Sequence, residues 1–320
     1  QAQALKVRYL GKKGALTALL KNVSQLDAKE RPLIGKLANE AKQKFMGIWQ
    51  KRVDLIAERH LQQLIQETTQ DVSMPARATS MTGALHPVTK VRNRCEAIFS
   101  RAGFEVAEGP EIEDDYHNFS ALNIPLSHPA RAMQDTFYFK NGTMLRTHTS
   151  PVQIRSMKTN KPPLKLIAPG KVFRRDSDQT HTPMFHQLEG LVIDTHCNFA
   201  QLKGLLHEFV KAFFGMELKL RFRPSYFPFT EPSAEVDMQC THCMGSGCRI
   251  CSHNGWLEVL GCGMVHPNVL TEAGIDPDQF SGYAFGIGLD RMAMLLYKMD
   301  DLRALFENRV ELLSQFRGVL

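Results

Sequence analysis

Arg174, Arg175, His181, His186, Gln187 and Glu189 fall within sixteen positions of one segment, GKVFRRDSDQTHTPMFHQLEGLVID (Gly170–Asp194), and bracket Phe185. Arginine offers a planar fork that grips phosphate oxygens in pairs, and an exposed aromatic ring can stack on a base. About a hundred residues later GYAFGIGLDRMAMLL (Gly282–Leu296) places Asp290 and Arg291 directly after a run of glycines. Glycines let a ligand approach the backbone, and an arginine at such a junction can reach a polyphosphate. The chemistry open to these residue types is therefore the binding of a base and its phosphates. The plain alternative for the first segment is a solvated hairpin with ordinary surface charge, and a lone G-x-G is weak. No G-x-x-x-x-G-K-S/T loop and no Rossmann fingerprint occurs, so the commoner phosphate loops are not in use.

A second constellation is Cys240-x2-Cys243-x4-Cys248-x2-Cys251, four of the seven cysteines within twelve residues, with Gly245 and Gly247 permitting tight turns. Zinc takes four thiolates in a tetrahedron, and paired C-x-x-C turns deliver them. The spacing between the pairs is short, and His242 or His253 could replace a thiolate. Structural zinc, an unmetallated reduced knuckle and redox chemistry all stay open. Cys95, Cys197 and Cys262 read as packing residues.

Strands and turns must hold these groups. Gly170–Asp194 reads as strand, loop, strand: Lys171–Arg174 alternates toward its arginine, a polar loop follows, and the apolar run Leu188–Ile193 carries Glu189. Ala284–Gly288 reads as a strand entering an apolar helix. Leu202–Phe214 has an amphipathic helical period, and Met216–Phe222 alternates as a strand. Helical and strand patterns mix from Gly83 onward without a βαβ repeat, which gives an α+β class. Val72–Thr82 (VSMPARATSMT), with Pro75 and no apolar period, reads as a linker.

Upstream of it the pattern is helical. Asp27 and Glu30 form a capping-box-like start before Pro32. Leu33, Leu37, Ala41, Phe45, Ile48, Leu55 and Leu64 mark one expected apolar stripe, and Gly11 and Gly14 interrupt a shorter helical stretch before it. Residues 1–70 carry 13 Lys and Arg against 6 Asp and Glu, whereas the remaining 250 carry 26 against 27. The whole positive excess thus lies in this arm. It suits sequence-independent contact with RNA phosphates or a solvated coiled coil whose lysines confer solubility.

At 320 residues and 43% apolar content the chain can build about two domains with a sizeable core. It holds no run of eighteen apolar residues and no secretory signal pattern, so no membrane contact is expected. An odd number of cysteines in a large chain points to a reducing, cytoplasmic setting.

The two glycine- and arginine-bearing segments resemble motifs 2 and 3 of class II aminoacyl-tRNA synthetases, and Gly103–Pro110 (GFEVAEGP) fits motif 1, which supports a dimer interface in that class. PEIEDDYHNFSALNI (Pro110–Ile124), HPAR (His128–Arg131), RTHTS (Arg146–Ser150), RPSYFPFTEPSAEVD (Arg223–Asp237) and WLEVLGCGMVHPN (Trp256–Asn268) narrow the resemblance to the α subunits of bacterial phenylalanyl-tRNA synthetases, over essentially the whole chain. The resemblance implies an antiparallel sheet flanked by helices, the class II catalytic fold, preceded by an antiparallel helical coiled coil that contacts tRNA. The implied domains are 1–71 for the arm, 72–82 for the linker and 83–320 for the catalytic domain, with the cysteine knuckle at 238–255.

The implied activity is the ATP-dependent charging of tRNA(Phe) with phenylalanine, through phenylalanyl-adenylate, in an α2β2 heterotetramer with a β subunit. By the same resemblance Arg174 clamps the α-phosphate, Arg291 the γ-phosphate, His181 helps hold the phosphates and Phe185 stacks on adenine. Asp176 stands where motif 2 usually has a longer glutamate toward the adenine amino group. His148, Ser150, Gln187 and Glu189 take the ammonium and carboxylate of the amino acid. Phe227 and Phe229 meet its ring edge to face, and Ala284 closes the far end. By themselves the two phenylalanines read as core more than site, but Pro228 and the following Thr230-Glu231-Pro232 speak against a regular buried strand there. The expected cofactors are ATP with Mg2+, for which Glu258 is a candidate ligand, and a structural Zn2+ on Cys240, Cys243, Cys248 and Cys251. An apolar slot discriminates only on the order of 10²-fold against an added hydroxyl, so some misactivation of tyrosine is expected, with proofreading on the other chain. The rivals are a synthetase-like paralogue that activates or senses an amino acid without charging tRNA, and a zinc-knuckle RNA-binding protein, which would have no use for Arg174, Glu189 or Arg291.

Overall fold

A computed structural model of the chain describes residues 2–11, 14–15, 17–18, 31–68, 83–132, 135–176, 182–299 and 301–317. It divides into two compact units, Gln1–Ser80 and Met81–Leu320. The expected helix start at Asp27 and Glu30, and the expected linker, lie outside the described residues.

In the first unit α1 (Ala2–Leu10) packs on the long α2 (Arg31–Thr68). Lys6 Nζ lies 4.3 Å from the Trp49 ring and the Tyr9 and Phe45 rings are 5.4 Å apart, so the two helices run antiparallel. The apolar stripe is not where it was expected. Leu33, Leu37 and Ile48 are 64%, 56% and 62% exposed, Leu55 and Leu64 are exposed too, and only Phe45 of that set is half-buried among its neighbours Met46, Trp49 and Val53. Apolar residues are spread around α2, so periodicity names no single face, and the short partner helix decides which one is covered.

The second unit begins with α3 (Pro87–Arg101). His86 caps it, accepting from Val88 N at 3.2 Å, and Pro87 occupies the first helical position, where a missing N–H costs nothing. Val88, Val91, Cys95 and Phe99, spaced by three and four, form its buried face. There follow β1 (Glu105–Val106), β2 (Ile112–Glu113), the single turn α4 (Asp115–Asn118), β3 (Met144–Leu145), α5 (Ser150–Thr159), β4 (Leu164–Phe173), β5 (Met184–Asp194), α6 (Phe199–Phe214), β6 (Leu220–Phe227), β7 (Thr230–Gln239), β8 (Trp256–Val265), α7 (Pro267–Glu272), β9 (Ser281–Gly288), α8 (Leu289–Tyr297) and α9 (Val310–Ser314).

Seven strands make one sheet in the order β1-β4-β5-β9-β8-β7-β6, and β2 pairs with β3 apart from it. Every pair in the large sheet is antiparallel, as expected, except the parallel edge pair β1–β4. One face packs against α3, α6 and α8: Leu188 and Val192 of β5 and Tyr283, Phe285 and Ile287 of β9 join Phe99, Leu206, Phe209 and Met292 in the main core. Gly190 is required there, because a Cβ would come 2.1 Å from the Phe285 ring, which continues into a stack with Phe99 and Phe209. On the opposite face Leu191, Ile193 and Val265 meet Phe119, Leu122, Ile154 and Met157 in a second apolar cluster that leaves part of the sheet uncovered.

Two local expectations change. The strand read from Met216 begins only at Leu220, because Gly215 ends α6 in the left-handed region (φ 69°) and 216–219 carry the chain to the sheet edge. Thr230–Pro232 is not irregular backbone but the start of β7, so Phe227-Pro228-Phe229-Thr230 is a tight hairpin, with a register shift between Ser225 and Phe227 on its own ladder and another between Thr230 and Ser233 on the ladder to β8. Cys95 and Cys262 are core residues. Burial pushes the Cys262 thiol up to about 12 and the Cys95 thiol further, so both are inert. Cys197 is half-buried, and burial raises its thiol as well.

Candidate active site

Antiparallel neighbours that stand opposite each other share a face. One such row runs Glu189, Gly286, Gly261, Glu235, Arg223 across β5, β9, β8, β7 and β6, and the next runs Leu191, Ala284, Gly263, Ser233. The middle of both rows is glycine or alanine, so the sheet has an open floor bounded by Glu189 on one side and by charged residues on the other. The Phe227 ring leans over that floor; a Cβ on Gly261 would come 3.0 Å from it.

Glu189 is 6% exposed. It is held from above by the first turn of α5, where Ser150 Oγ donates to its Oε2 at 2.5 Å and Gln153 Nε2 to the same oxygen at 2.9 Å. Burial pushes its carboxyl up to about 7, against the Ser150 hydrogen bond and the nearby positive charge of Arg174 and Arg146. Beside it, burial and then the charge of Arg174 push the His148 imidazole down to about 3, so the ring is neutral at physiological pH. Both ring nitrogens of His148, the Thr149 hydroxyl and Gln187 Oε1 are buried with no hydrogen-bond partner among the described residues. A buried polar atom left unpaired costs about 1–3 kcal/mol. Four such atoms on His148, Thr149 and Gln187, residues just before Ser150 in sequence or on the same strand as Glu189, are the mark of a site shaped for a polar ligand.

Arg174 follows β4. Its guanidinium carbon lies 5.0 Å from the Phe185 ring and its Nε donates to Thr147 O at 3.1 Å. Asp176 is exposed two residues on, and His181 lies outside the described residues. Arg291 is exposed on the first turn of α8 and has no hydrogen bond or ion pair among the described residues. Phe227 and Phe229 stack on each other at the hairpin, with ring centres 5.8 Å apart and planes 10° from parallel. Phe229 and Ala284 both border the second apolar cluster, and the Phe229 ring centre is 6.4 Å from that of His148. The structure thus brings His148, Ser150, Gln187, Glu189, Phe229 and Ala284 onto one face.

Glu258 stands on the same face at the far end, exposed and 2.9 Å from Arg223 Nη2. Arg223 also binds Asp237 at 2.6 and 2.9 Å and Glu235 at 3.0 Å, and the hydrogen bonds of Arg223 and then Arg221 to Asp237 hold its carboxyl below the usual range against burial.

Three residues of the site were not singled out from sequence. Gln153 is one helical turn beyond Ser150, a spacing that could have paired them on one face. Arg146 is buried and ties the segment after β1 to β4 by donating to Gly109 O, Pro110 O and Lys171 O at 3.2, 3.3 and 2.7 Å. Asp290, noted only as a first-turn acid, is buried against His186, and nothing in the linear sequence pairs the two.

Away from the sheet face, the sulfurs of Cys240, Cys243, Cys248 and Cys251 all lie within 4.8 Å of one another, and this cluster contains neither His242 nor His253. The Cys240–Cys248, Cys243–Cys251 and Cys248–Cys251 separations are 3.8, 3.7 and 3.7 Å. Gly247 N donates to Cys243 Sγ, and Cys248 N and Gly255 N to Cys251 Sγ, at 3.1–3.2 Å. Burial opposes ionisation of Cys251, yet these backbone donors bring its thiol down to about 6.

Residues 69–316 match the family model of the tRNA synthetases class II core domain (F), and residues 1–65 match the aminoacyl tRNA synthetase class II N-terminal domain. The chain is 56% identical over 315 residues to a phenylalanine–tRNA ligase alpha subunit of Pseudomonas fluorescens, covering 98% of this chain and 93% of the other. It is 59% identical over 314 residues to the protein of the same name in Legionella pneumophila, with the same coverage. Among solved structures it is similar to the pyrrolysyl-tRNA synthetase of Desulfitobacterium hafniense, with a TM-score of 0.55 over 84% of each chain; at 17% identity that likeness speaks to fold alone. No helix among the described residues is long and apolar enough to cross a membrane.

Proposed function

The chain belongs to the family of phenylalanine–tRNA ligase α subunits, within the class II aminoacyl-tRNA synthetases, and from that membership we propose how its site works. Phenylalanine is first activated with ATP. Its carboxylate oxygen attacks the α-phosphorus, the bond to the β-phosphate oxygen breaks, and pyrophosphate leaves. A ribose hydroxyl at the end of tRNA, the 2′-hydroxyl, then attacks the carbonyl carbon of the adenylate and AMP leaves. Neither step needs a protein nucleophile, so the side chains act by alignment and by offsetting charge on the phosphates.

The observation that carries this reading is the buried polar pocket. Glu189, clamped by Ser150 and Gln153, faces a substrate ammonium, while Gln187 and the neutral His148 offer unpaired polar atoms to its other end. Phe227 and Phe229 flank the substrate ring and Ala284 ends the slot. Arg174 takes the α-phosphate and Arg291 the γ-phosphate, with His181 assisting. Phe185 stacks on adenine, and Asp176 reaches toward its amino group with a shorter arm than glutamate.

Magnesium commonly arrives with ATP and keeps one or two carboxylates besides the phosphates. Glu258, an exposed carboxylate on the site face, would serve as one of these, and a bound ion would supply charge neutralisation at the phosphates. The knuckle fits zinc. A tetrahedron with Zn–S bonds of about 2.3 Å has sulfur edges of about 3.8 Å; three of the sulfur separations match that edge, and no other pair is further apart than 4.8 Å. Its partners are the β subunit in an α2β2 assembly and tRNA(Phe), which the basic arm of residues 1–71 contacts; the catalytic domain spans 83–320, and the setting is cytoplasmic. The deciding experiment is ATP–pyrophosphate exchange driven by each amino acid, using this chain with and without co-expressed β subunit. Phenylalanine-specific exchange that needs the partner supports the reading, and an assembled, magnesium-supplied complex with no exchange for any amino acid overturns it.

A further inference from the structure

β9 pairs with β5 from Ser281↔Asp194 as far as Gly288↔Gln187 and then turns into α8. The ladder therefore stops one residue short of His186, whose backbone N–H still needs an acceptor. Asp290 supplies it: Oδ2 accepts that N–H at 2.5 Å, and Oδ1 lies 3.1 Å from the ring Nδ1 of the same residue. Asp290 is only 3% exposed, and Gly288 at the start of α8 provides no side-chain cap, so this carboxylate adds a side-chain tie from the helix start to the strand beyond the end of the backbone ladder. A carboxylate accepting two hydrogen bonds fixes both distance and orientation. Phe185 and Gln187 flank His186 on one side of the tie, and Arg291 follows Asp290 on the other.

We propose that Asp290 is a positioning residue: through His186 it fixes Arg291, at the phosphate end of the site, relative to the strand that carries Phe185 and Gln187, without touching substrate itself. The proposal rests on the roles assigned above to Arg291 and Phe185. Arg291 has no other tether among the described residues, so its reach depends on where α8 begins. A misplacement of about 1 Å between reacting groups can cost about 10²-fold.

The test uses the complex with its β subunit. Asp290→Ala leaves the His186 N–H without an acceptor. Asp290→Asn keeps an oxygen for that N–H, and a change of imidazole tautomer lets Nδ1 accept from the new amide. In pyrophosphate exchange, Asp290→Ala should raise the apparent KM for ATP on the order of 10- to 100-fold and leave the KM for phenylalanine near wild type, while Asp290→Asn should recover most of the loss. An unchanged KM for ATP, a parallel rise in both KM values, or an asparagine variant no better than alanine would overturn the positioning role. Should the alanine variant not assemble, His186→Ala, which keeps the backbone bond and removes the ring bond, decides: the KM for ATP alone must rise. A wild-type complex that fails to exchange with phenylalanine sinks the functional reading itself; an active wild type with an indifferent Asp290→Ala sinks only this proposal.

Discussion

Ser150 Oγ donates to Glu189 Oε2 at 2.5 Å across a sequence separation of 39 residues. Gln153, one turn further along α5, donates to the same oxygen at 2.9 Å. Both bonds fall on one carboxylate oxygen, so the group is oriented without being saturated. A carboxylate accepts up to four hydrogen bonds, which leaves room for a substrate ammonium in a place where burial would otherwise keep the group neutral.

The Glu189 carboxyl, raised by burial to about 7, gives a pH signature whose sign is fixed. The folded state holds this proton more tightly than the unfolded chain, so the stability it contributes is present below the ordinary glutamate range and is lost as pH rises through about 7. Phenylalanine binding should move the other way, because an ammonium favours the ionised carboxylate. Its apparent KM should fall roughly tenfold per pH unit on approaching 7 from below and then level off. Glu189→Gln should remove both trends; a KM profile with the same slope in that variant would rule out the assignment. Calorimetric proton release on binding phenylalanine at neutral pH gives an independent check.

Ala284 lies between Leu191 and Gly263 in their cross-strand row and, with Phe229, borders the second apolar cluster. Ala284→Gly should deepen the slot by about one methyl group and admit para-chlorophenylalanine in pyrophosphate exchange, with phenylalanine activity retained. Equal activation of that analogue by wild type and variant would remove Ala284 from the pocket. Tyrosine, an isostere plus a hydroxyl, should support exchange in the wild type at roughly 10²-fold lower kcat/KM.

Arg291→Ala should lower exchange by about 10²- to 10³-fold, the cost of removing one transition-state donor, yet leave the melting temperature unchanged, since the side chain is exposed and unpartnered among the described residues. Arg174→Lys should recover only part of the activity lost in Arg174→Ala, because an ammonium lacks the planar fork and stacks poorly on Phe185. Thermal melts alongside the kinetics separate these outcomes. A large drop in melting temperature for Arg291→Ala would recast it as structural.

One zinc per chain should be found by metal analysis of the purified protein. Chelation or Cys243→Ser should lower the melting temperature while the amino acid KM values stay near wild type, because the knuckle belongs to the β7–β8 connection and not to the glycine floor. Metal-free protein with an unaltered melting temperature would favour the bare knuckle.

Sequence by itself determined the local elements and the residue types of the site. The strand-loop-strand around Arg174 and Glu189, the glycine strand running into α8 and the amphipathic α6 are each specified by neighbours within a few residues, through alternation, caps and helical period. It could not choose the buried face of α2, whose apolar residues point in several directions until α1 covers the segment of Phe45 and Trp49. Nor could it reveal that Phe227 and Phe229 flank a hairpin, or that Glu189, Gly286, Gly261 and Glu235 form one row. Those facts depend on the register of five strands from distant parts of the chain, and a one-residue slip would turn every side chain to the other face. The Asp290–His186 tie is of the same kind. It exists because β9 ends one residue too soon to pair with His186, and only the assembled sheet decides where a strand stops.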